Sequence, residues 1–264
     1  MIAVYVGAMP KHKDHFPNST HVVLPVIHVE NLGQALANAE IARRAGCDGV
    51  FLIDHFIASQ DLLEIARGVL DKFPGWWVGV NCLGMNPEDV VAKIDPDISG
   101  IWSDNAGIDE YGGTQPAAEK FLQARDARQW NGLYFGGVAF KYQRQVTELE
   151  RAARIAAQFI DVVTTSGPGT GMSASREKIA AMKRGLGEAP LAIASGITPE
   201  NVSDYVDLAT CFLVATGISR NFTDLDPERV KALVEKVRGW LPSAGGCQSA
   251  VSNSTKGIIP CRWS

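Results

Sequence analysis

The sequence lacks the signals of several large protein classes. It has five cysteines, with no C-x-x-C pair and no metal-like spacing to a histidine, so a zinc site or a disulfide framework is not expected. No apolar run reaches the roughly 18 residues that span a bilayer, and residues 1–10 do not resemble a secretory signal. These absences predict no membrane span and a location in the reducing cytoplasm.

Basic charge and nucleotide-binding motifs are missing as well. The net charge of −4 argues against a nucleic-acid partner or an anionic membrane. No G-x-G-x-x-G motif follows the first predicted strand, which disfavours an open dinucleotide-binding sheet. The glycine loop at residues 167–171 is followed by Met172, not by the lysine of a Walker motif, so hydrolysis of a nucleoside triphosphate is not expected.

What the chain has is an eightfold alternation of short apolar runs with helical periodicity. This pattern predicts an α/β fold, a single-domain (β/α)8 TIM barrel over residues 21–241. The predicted strands cover residues 22–29, 49–55, 77–83, 100–105, 132–138, 162–166, 191–195 and 211–216. The predicted helices cover residues 32–45, 60–73, from 87 onward, 116–129, 147–159, 174–186, 199–206 and 227–240.

Two segments lie outside this alternation. Residues 1–20 form a polar lead-in, interpreted either as a lid over the barrel mouth or as a surface segment, and the second interpretation is favoured. Residues 242–264 form an irregular tail, rich in glycine and serine, to which no function is assigned. Within the barrel, Cys82 and Cys211 are expected to be buried small apolar residues.

The predicted sixth, seventh and eighth strands each end in small hydroxyl residues and glycine. Loops of this kind leave backbone amides free to hold an anion, and the loops after strands 7 and 8 are a common phosphate site in TIM barrels. Phosphate binding is therefore predicted at Ser195, Gly196, Thr216 and Gly217. Residues 198–200 also read as a helix start, but capping does not explain the two glycines.

Polar residues stand at the carboxyl ends of most predicted strands, where TIM-barrel chemistry takes place. Four are predicted to be catalytic: Asp54, His55, Asp104 and Lys141. Asp54 and His55 form either a carboxylate-oriented imidazole or a cap of the second helix. Asp104 is a base, a metal ligand or a loop cap. Lys141 pairs with a substrate anion, forms a Schiff base or is a solvated cation.

A further set of strand-end residues is predicted to contact the substrate. Its weakest member is His28, since a lone histidine at a strand end is often only a core residue. Asp54 and Asp104 are also the predicted ligands of Mg²⁺, which takes few carboxylates and keeps waters. The predicted substrate-binding residues are His28, Asn81, Thr165, Ser166, Gly167 and Thr170.

Over about residues 22–240 the chain resembles the BtpA/SgcQ family, a group of TIM barrels of the ribulose-phosphate-binding type. The resemblance is carried by the segments VIH at 26–28, AGCDGV at 45–50, GVNCL at 79–83, SGPGTG at 166–171, ASGITPENV at 194–202 and LVATGI at 213–218. Three departures indicate a divergent branch. The proline-rich loop after strand 1 and the acid in strand 5 are absent, and Asp54-His55 replaces an acidic-asparagine pair.

Three functions are open, the first and third implied by the resemblance and the second by the phosphate loops together with Asp54, His55 or Asp104 as acid and base. Members similar to this branch carry an adenine phosphoribosyltransferase label, which implies a phosphorylated ribose, a purine base and Mg²⁺ as partners. The second is a sugar-phosphate isomerase, lyase or aldolase that uses the same phosphate loops. The third is a non-catalytic scaffold, because some relatives are linked to assembly of a photosynthetic membrane complex. The sequence leaves the oligomeric state open, with a homo-oligomer among the options.

Overall fold

Eight parallel strands close into a barrel in the computed structural model, which describes residues 12–240. Neighbouring strands pair in sequence order, and β1 pairs with β8 to complete the ring. The single-domain TIM-barrel prediction is therefore confirmed. The predicted boundary between residues 20 and 21 lies within the described residues and the one between 241 and 242 lies outside them, and both stay predictions. The strands are β1 Val22–His28, β2 Gly49–Ile53, β3 Trp77–Asn81, β4 Gly100–Ser103, β5 Leu133–Gly137, β6 Val162–Thr165, β7 Leu191–Ala194 and β8 Cys211–Val214.

An α-helix follows every strand except β7. Between residues 12 and 240, none is both long and apolar enough to cross a membrane. Two one-turn 3-10 helices, Val202–Asp204 and Thr216–Ile218, follow β7 and β8. The α-helices are α1 His12–His15, α2 Leu32–Arg44, α3 Ser59–Lys72, α4 Pro87–Lys93, α5 Pro116–Arg128, α6 Leu149–Ala156, α7 Arg176–Leu186 and α8 Pro227–Arg238.

The prediction of a helix at residues 199–206 is wrong. Only the 3-10 turn Val202–Asp204 forms there, because Asn201 uses its side chain for other bonds. Its Oδ1 accepts the Thr198 N–H at 2.8 Å, and its Nδ2 donates to the Gly196 carbonyl at 2.8 Å. The polar side chain thus closes a compact turn in place of the first turn of a helix.

Alternating side chains divide the core into two layers. One layer fills the barrel and is built around aromatic rings, with Phe51, Trp77 and Phe135 packed edge to face. The other layer lies between the strands and the helices. A side chain at Gly100 would collide with the indole of Trp77, so the glycine makes room for this ring. Cys82 and Cys211 are buried, as predicted.

The α1 segment lies at the amino-terminal end of the barrel, opposite the mouth. The Phe16 ring is 5% exposed and packs on Trp77, and His12 Nε2 lies 3.1 Å from the Sγ of Cys211. Trp77 and Cys211 are the first residues of β3 and β8. Residues 12–16 therefore form no lid over the mouth; Lys13 and Asp14 are exposed, as in a surface segment, whereas His12 and Phe16 are buried. The apolar ring of Phe16 closes the barrel floor instead.

Candidate functional site

One cavity opens at the carboxyl ends of the strands. It encloses about 830 Å³ including its open mouth. Its floor is apolar and includes Val26, Ile53 and Leu213, which point inward from β1, β2 and β8. The rest of its wall comes from the loops that follow the strands. Nine predicted site residues line this cavity: His28, His55, Asp104, Lys141, Thr170, Ser195, Gly196, Thr216 and Gly217.

The loops after β6, β7 and β8 pack backbone against backbone on one side of the cavity. A Cβ at Gly196, whose φ is +70°, would collide with the backbone of Met172 and Ser173. A Cβ at Gly217 would collide with the Ile197 carbonyl. Ser195, with φ of 145°, donates from Oγ to the Gly169 carbonyl at 3.0 Å. Close packing therefore requires both glycines, independently of any ligand.

Side chains hold the carbonyl groups of both glycines. The Gly196 oxygen accepts from Asn201 Nδ2 and from Ser173 Oγ, each at 2.8 Å. The Gly217 oxygen accepts from Arg229 Nε at 2.9 Å. A trans peptide aims its C=O and N–H in opposite directions, so the Ile197 N–H points away from Asn201.

The loop N–H groups remain available at this end of the cavity. Those of Gly196, Ile197 and Gly217 donate no hydrogen bond to a residue within 12–240, and all three residues line the cavity. Free backbone N–H groups that converge in a glycine loop form a typical binding site for an anion.

Acidic and basic side chains meet on the wall between β2 and β5. Burial raises the pKa of Asp104, whose Oδ1 accepts from Asn81 Nδ2 at 3.1 Å, and Lys141 and His55 partly oppose that rise. Burial lowers the pKa of His55 below its ordinary value. Lys141 donates from Nζ to Thr170 Oγ1 at 3.3 Å. The arrangement places a carboxyl group, a neutral imidazole and an ammonium group in one cavity.

His28 is buried at the end of β1, with its ring 4.8 Å from that of His55. Burial lowers the pKa of His28 to about 4, and His55 and Lys141 add to the effect. Its Nδ1 has no hydrogen-bond partner within the described residues. At neutral pH this imidazole is therefore uncharged and has an unused polar atom.

Asp54 does not line the cavity. Its Oδ2 accepts from the hydroxyl of Ser59, the first residue of α3, and its Oδ1 accepts the Leu83 N–H at 2.7 Å. Both oxygens thus tie the β2 loop to α3 and to the β3 loop, and neither accepts a backbone N–H of α3. Oδ2 of Asp104 accepts no hydrogen bond in the described chain, which leaves this oxygen available to a ligand.

The two predicted Mg²⁺ ligands, Asp54 and Asp104, do not both line the cavity. No group of three or more histidine, cysteine, aspartate or glutamate residues converges within residues 12–240. Asp54 is committed to loop contacts, so only Asp104 presents a free carboxylate oxygen to the cavity. The donor set fits a Mg²⁺ ion only if a substrate and water supply most of its ligands.

Four further predicted contacts lie behind the cavity wall. Asn81 is 1% exposed and reaches the cavity only through Asp104. Thr165 Oγ1 donates to the Ala139 carbonyl at 3.3 Å, and Ser166 Oγ accepts the Lys141 N–H at 2.8 Å. Gly167 has no space for a Cβ beside Met172. These residues shape the loops that carry Lys141 and Thr170.

Three residues at the site were not predicted. Lys178, on α7, donates to the carbonyl groups of Ala139 and Ser166, and burial lowers its pKa to about 8. It joins the β5 loop to the β6 loop. Tyr142 and Phe222 line the cavity mouth and are 80% and 44% exposed. The sequence signal for Tyr142 and Phe222 was an aromatic residue between polar neighbours.

The parallel eight-stranded barrel with a cavity at the carboxyl ends of its strands defines a TIM-barrel protein. Residues 131–239, which include β5 to β8 and the glycine loops, match the BtpA family model. The chain is a TIM-barrel protein whose residues 131–239 are similar to the BtpA family.

Other similarities are weaker or concern the fold alone. An N-(5'-phosphoribosyl)anthranilate isomerase of Natronomonas pharaonis is 34% identical over 95 residues, which are 35% of this chain and 42% of that protein. The match thus spans less than half of the relative. The phosphoribosyl anthranilate isomerase structure from Thermus thermophilus has a TM-score of 0.59 and 15% identity, covering 83% of this chain and 98% of that one.

A second similar structure is (S)-3-O-geranylgeranylglyceryl phosphate synthase from Thermoplasma acidophilum, in complex with its substrate sn-glycerol-1-phosphate. Its TM-score is 0.62 at 15% identity, covering 86% of this chain and 97% of that one. At such identities both structures support the barrel fold and no specific reaction.

Proposed function

We propose that the protein is an enzyme that rearranges or cleaves a phosphorylated sugar by acid–base chemistry. One observation carries the proposal: the free N–H groups of the β7 and β8 loops share a cavity with Asp104, His55 and Lys141. The N–H groups supply a phosphate site, and the side chains supply proton transfer. Two similar proteins agree with a phosphorylated substrate. The name of one includes a phosphoribosyl group, and the other is in complex with sn-glycerol-1-phosphate.

Each group has a role in this proposal. The substrate phosphate binds at Gly196, Ile197 and Gly217, which places the sugar over the apolar floor. Asp104 removes a proton from the carbon next to the substrate carbonyl, and its raised pKa makes it a stronger base than an ordinary carboxylate. Lys141 stabilises the negative charge that develops on the carbonyl oxygen.

His55 is the second proton-transfer group. Its pKa is lowered, so the ring is neutral at pH 7 and can donate one proton and accept another at its two nitrogens. This allows it to carry a proton between the two oxygens of an enediol. Lys141 gives no separate indication of Schiff-base chemistry, so the isomerase form is preferred to the aldolase form.

Phosphoribosyl transfer is the second candidate. The free Oδ2 of Asp104 beside Lys141 favours it, because a diphosphate bridged by Mg²⁺ needs a carboxylate ligand and a cation. In this candidate Asp104 would be the protein ligand of the ion, with the substrate and water as its other ligands, and the ion would neutralise charge on the leaving diphosphate. The glycine loops hold the 5'-phosphate, and the remaining space takes a purine base.

Solvent-exchange NMR tests the leading proposal. Incubation of the protein with ribulose 5-phosphate in D₂O should replace the hydrogen next to the carbonyl by deuterium, even if the natural substrate is a different sugar phosphate. The Asp104→Asn variant is the matched control. Binding without exchange would contradict the acid–base proposal and would favour a non-catalytic scaffold. AMP formation from adenine and phosphoribosyl diphosphate, abolished by EDTA, would favour the transferase.

A further inference from the structure

Phe222 presents an aromatic ring at the cavity mouth. The side chain is 44% exposed, although a phenyl group is usually buried. Its ring centroid lies 4.0 Å from that of His28, 5.5 Å from that of His55 and 5.6 Å from that of Phe56. Four rings therefore gather on the β1, β2 and β8 side of the mouth.

The loop that carries Phe222 is held by hydrogen bonds of its own. Ser219 and Leu225 form an antiparallel bridge, and the Arg220 N–H donates to the Asp224 carbonyl at 2.8 Å. Asn221 Oδ1 accepts the Asp224 N–H at 2.7 Å, which closes the tip of the turn. The exposed ring thus stands on a closed hairpin.

Helix α2 anchors the same hairpin. Gln34 Nε2 and Asn38 Nδ2 donate to the Thr223 carbonyl at 2.7 and 3.0 Å, and Asn38 Oδ1 accepts the Leu225 N–H at 2.8 Å. Asn38 is 2% exposed, so these bonds form away from solvent. A buried, satisfied amide fixes a segment strongly, which keeps the Phe222 ring in place over the cavity.

The two imidazole rings at this end of the cavity carry no charge at neutral pH. Burial lowers the pKa of both His28 and His55, so both rings are neutral there. The floor beneath them, Val26 and Ile53, is apolar. A rigid aromatic ring above an uncharged, apolar surface suits a flat neutral group, whereas the glycine loops across the cavity suit an anion.

We infer that the substrate carries an uncharged planar ring on its phosphorylated sugar and that this ring stacks on Phe222, flanked by His55. The inference rests on the proposed function, because the phosphate must bind at the glycine loops to place the ring. Stacking of one planar base on an aromatic side chain changes affinity by about 5- to 150-fold.

Calorimetric titration of the full chain tests the inference. The probes are ribose 5-phosphate, which has no ring base, and the four 5'-mononucleotides AMP, GMP, CMP and UMP. At least one nucleotide should bind about tenfold tighter than ribose 5-phosphate. Phe222→Ala should remove that gain and leave ribose 5-phosphate binding unchanged. Phe222→Leu, which keeps an apolar contact without a flat face, should remove most of it.

Leu83→Ala is the matched control. Leu83 is an apolar residue of a mouth loop, is 43% exposed and does not line the cavity, so this change should leave every affinity unchanged. Binding of ribose 5-phosphate with no tighter nucleotide, or a gain that survives Phe222→Ala, overturns the inference alone. Loss of ribose 5-phosphate binding in Phe222→Ala also overturns it, since the ring would then support the phosphate loops. If none of the five probes binds the unchanged protein, the proposed function fails as well.

Discussion

The side-chain amide of Asn201 donates to the Gly196 carbonyl at 2.8 Å while its oxygen accepts the Thr198 N–H at the same distance. One side chain therefore fixes both ends of the turn that carries the Ile197 N–H. Because that N–H has no acceptor among residues 12–240, the orientation of the peptide is set by Asn201 and Ser173 and not by a bond of its own.

Asn201→Asp should weaken binding of inorganic phosphate by tenfold or more. The aspartate still accepts from Thr198, but it replaces the donor to Gly196 by a negative charge near the anion site. Titration calorimetry measures the affinity, and the ¹⁵N shift of the Ile197 amide reports on the site itself. Asn86→Asp, which adds the same charge on the distant β3 loop, is the control. A phosphate titration that leaves the Ile197 amide unmoved in the unchanged protein would contradict this assignment.

Asp104→Asn should lower the deuterium-exchange rate on ribulose 5-phosphate by about 100-fold or more, the usual contribution of a general base. Ribose 5-phosphate affinity should stay within about threefold, because Asp104 lies away from the glycine loops. Equal losses of exchange and affinity would indicate a binding role instead of a catalytic one.

The pH profile of exchange gives a separate test of Asp104. The base acts when ionised, and burial raises its pKa, so the rate should fall on the acid side at a pH above the ordinary value of 3.8. Asn81→Ala removes a hydrogen bond that stabilises the ionised form, which should shift this fall to higher pH. An unshifted profile would show that a different group titrates.

Stability should fall with acidification. Burial lowers the pKa of His12 and of His28 to about 4, from 6.5 in the unfolded chain. Each group therefore contributes stability that is present above pH 6.5 and is lost as the pH falls towards 4. From pH 7 to pH 5 each should cost about 2 kcal/mol of unfolding free energy.

Urea unfolding across this pH range measures that loss. The variant His12→Leu should show a shallower dependence, since it keeps an apolar side chain against Phe16 and removes one titrating group. The same slope in both proteins would mean that His12 does not titrate on unfolding.

Arg125→Met should destabilise the barrel by about 3–5 kcal/mol. Arg125 Nη1 lies 2.9 Å from Asp161 Oδ2, and the two side chains are 3% and 0% exposed, so the change strands a buried carboxylate. Chemical denaturation should show that the double variant Arg125→Met with Asp161→Asn recovers part of the loss. A single variant as stable as the parent would show that the ion pair contributes nothing. Phosphate affinity should not change, because Asp161 precedes β6 at the end opposite the mouth.

The eight strands could be predicted because each is a short apolar run that stops at a polar or glycine residue. The missing helix after β7 could not. Thr198, Pro199 and Glu200 carry every local helix-start signal, but Asn201 bonds to Gly196 and Ser173, and the chain brings Ser173 near only after folding. The position of Phe16 could not be predicted for a similar reason, since its ring packs on Trp77, far along the chain.

The site was predictable where position at a strand end decides, as for Asp104, His55 and the glycine loops. It was not predictable where a remote partner decides. Asp54 does not line the cavity, because its Oδ1 accepts the N–H of Leu83 on the next loop. Lys178 reads as an ordinary helix-surface cation in the sequence, and Phe222 as a lone aromatic residue between polar neighbours.

The interlocked glycine loops limit where this protein can be redesigned. Gly196 and Gly217 each occupy space that no side chain can share with the neighbouring loop, so changing either would displace two loops together. Tyr142 and Phe222, by contrast, are exposed side chains at the mouth. Engineering of new ligand preferences should therefore begin at these two aromatic positions, and the anion-binding side should be kept as a fixed anchor.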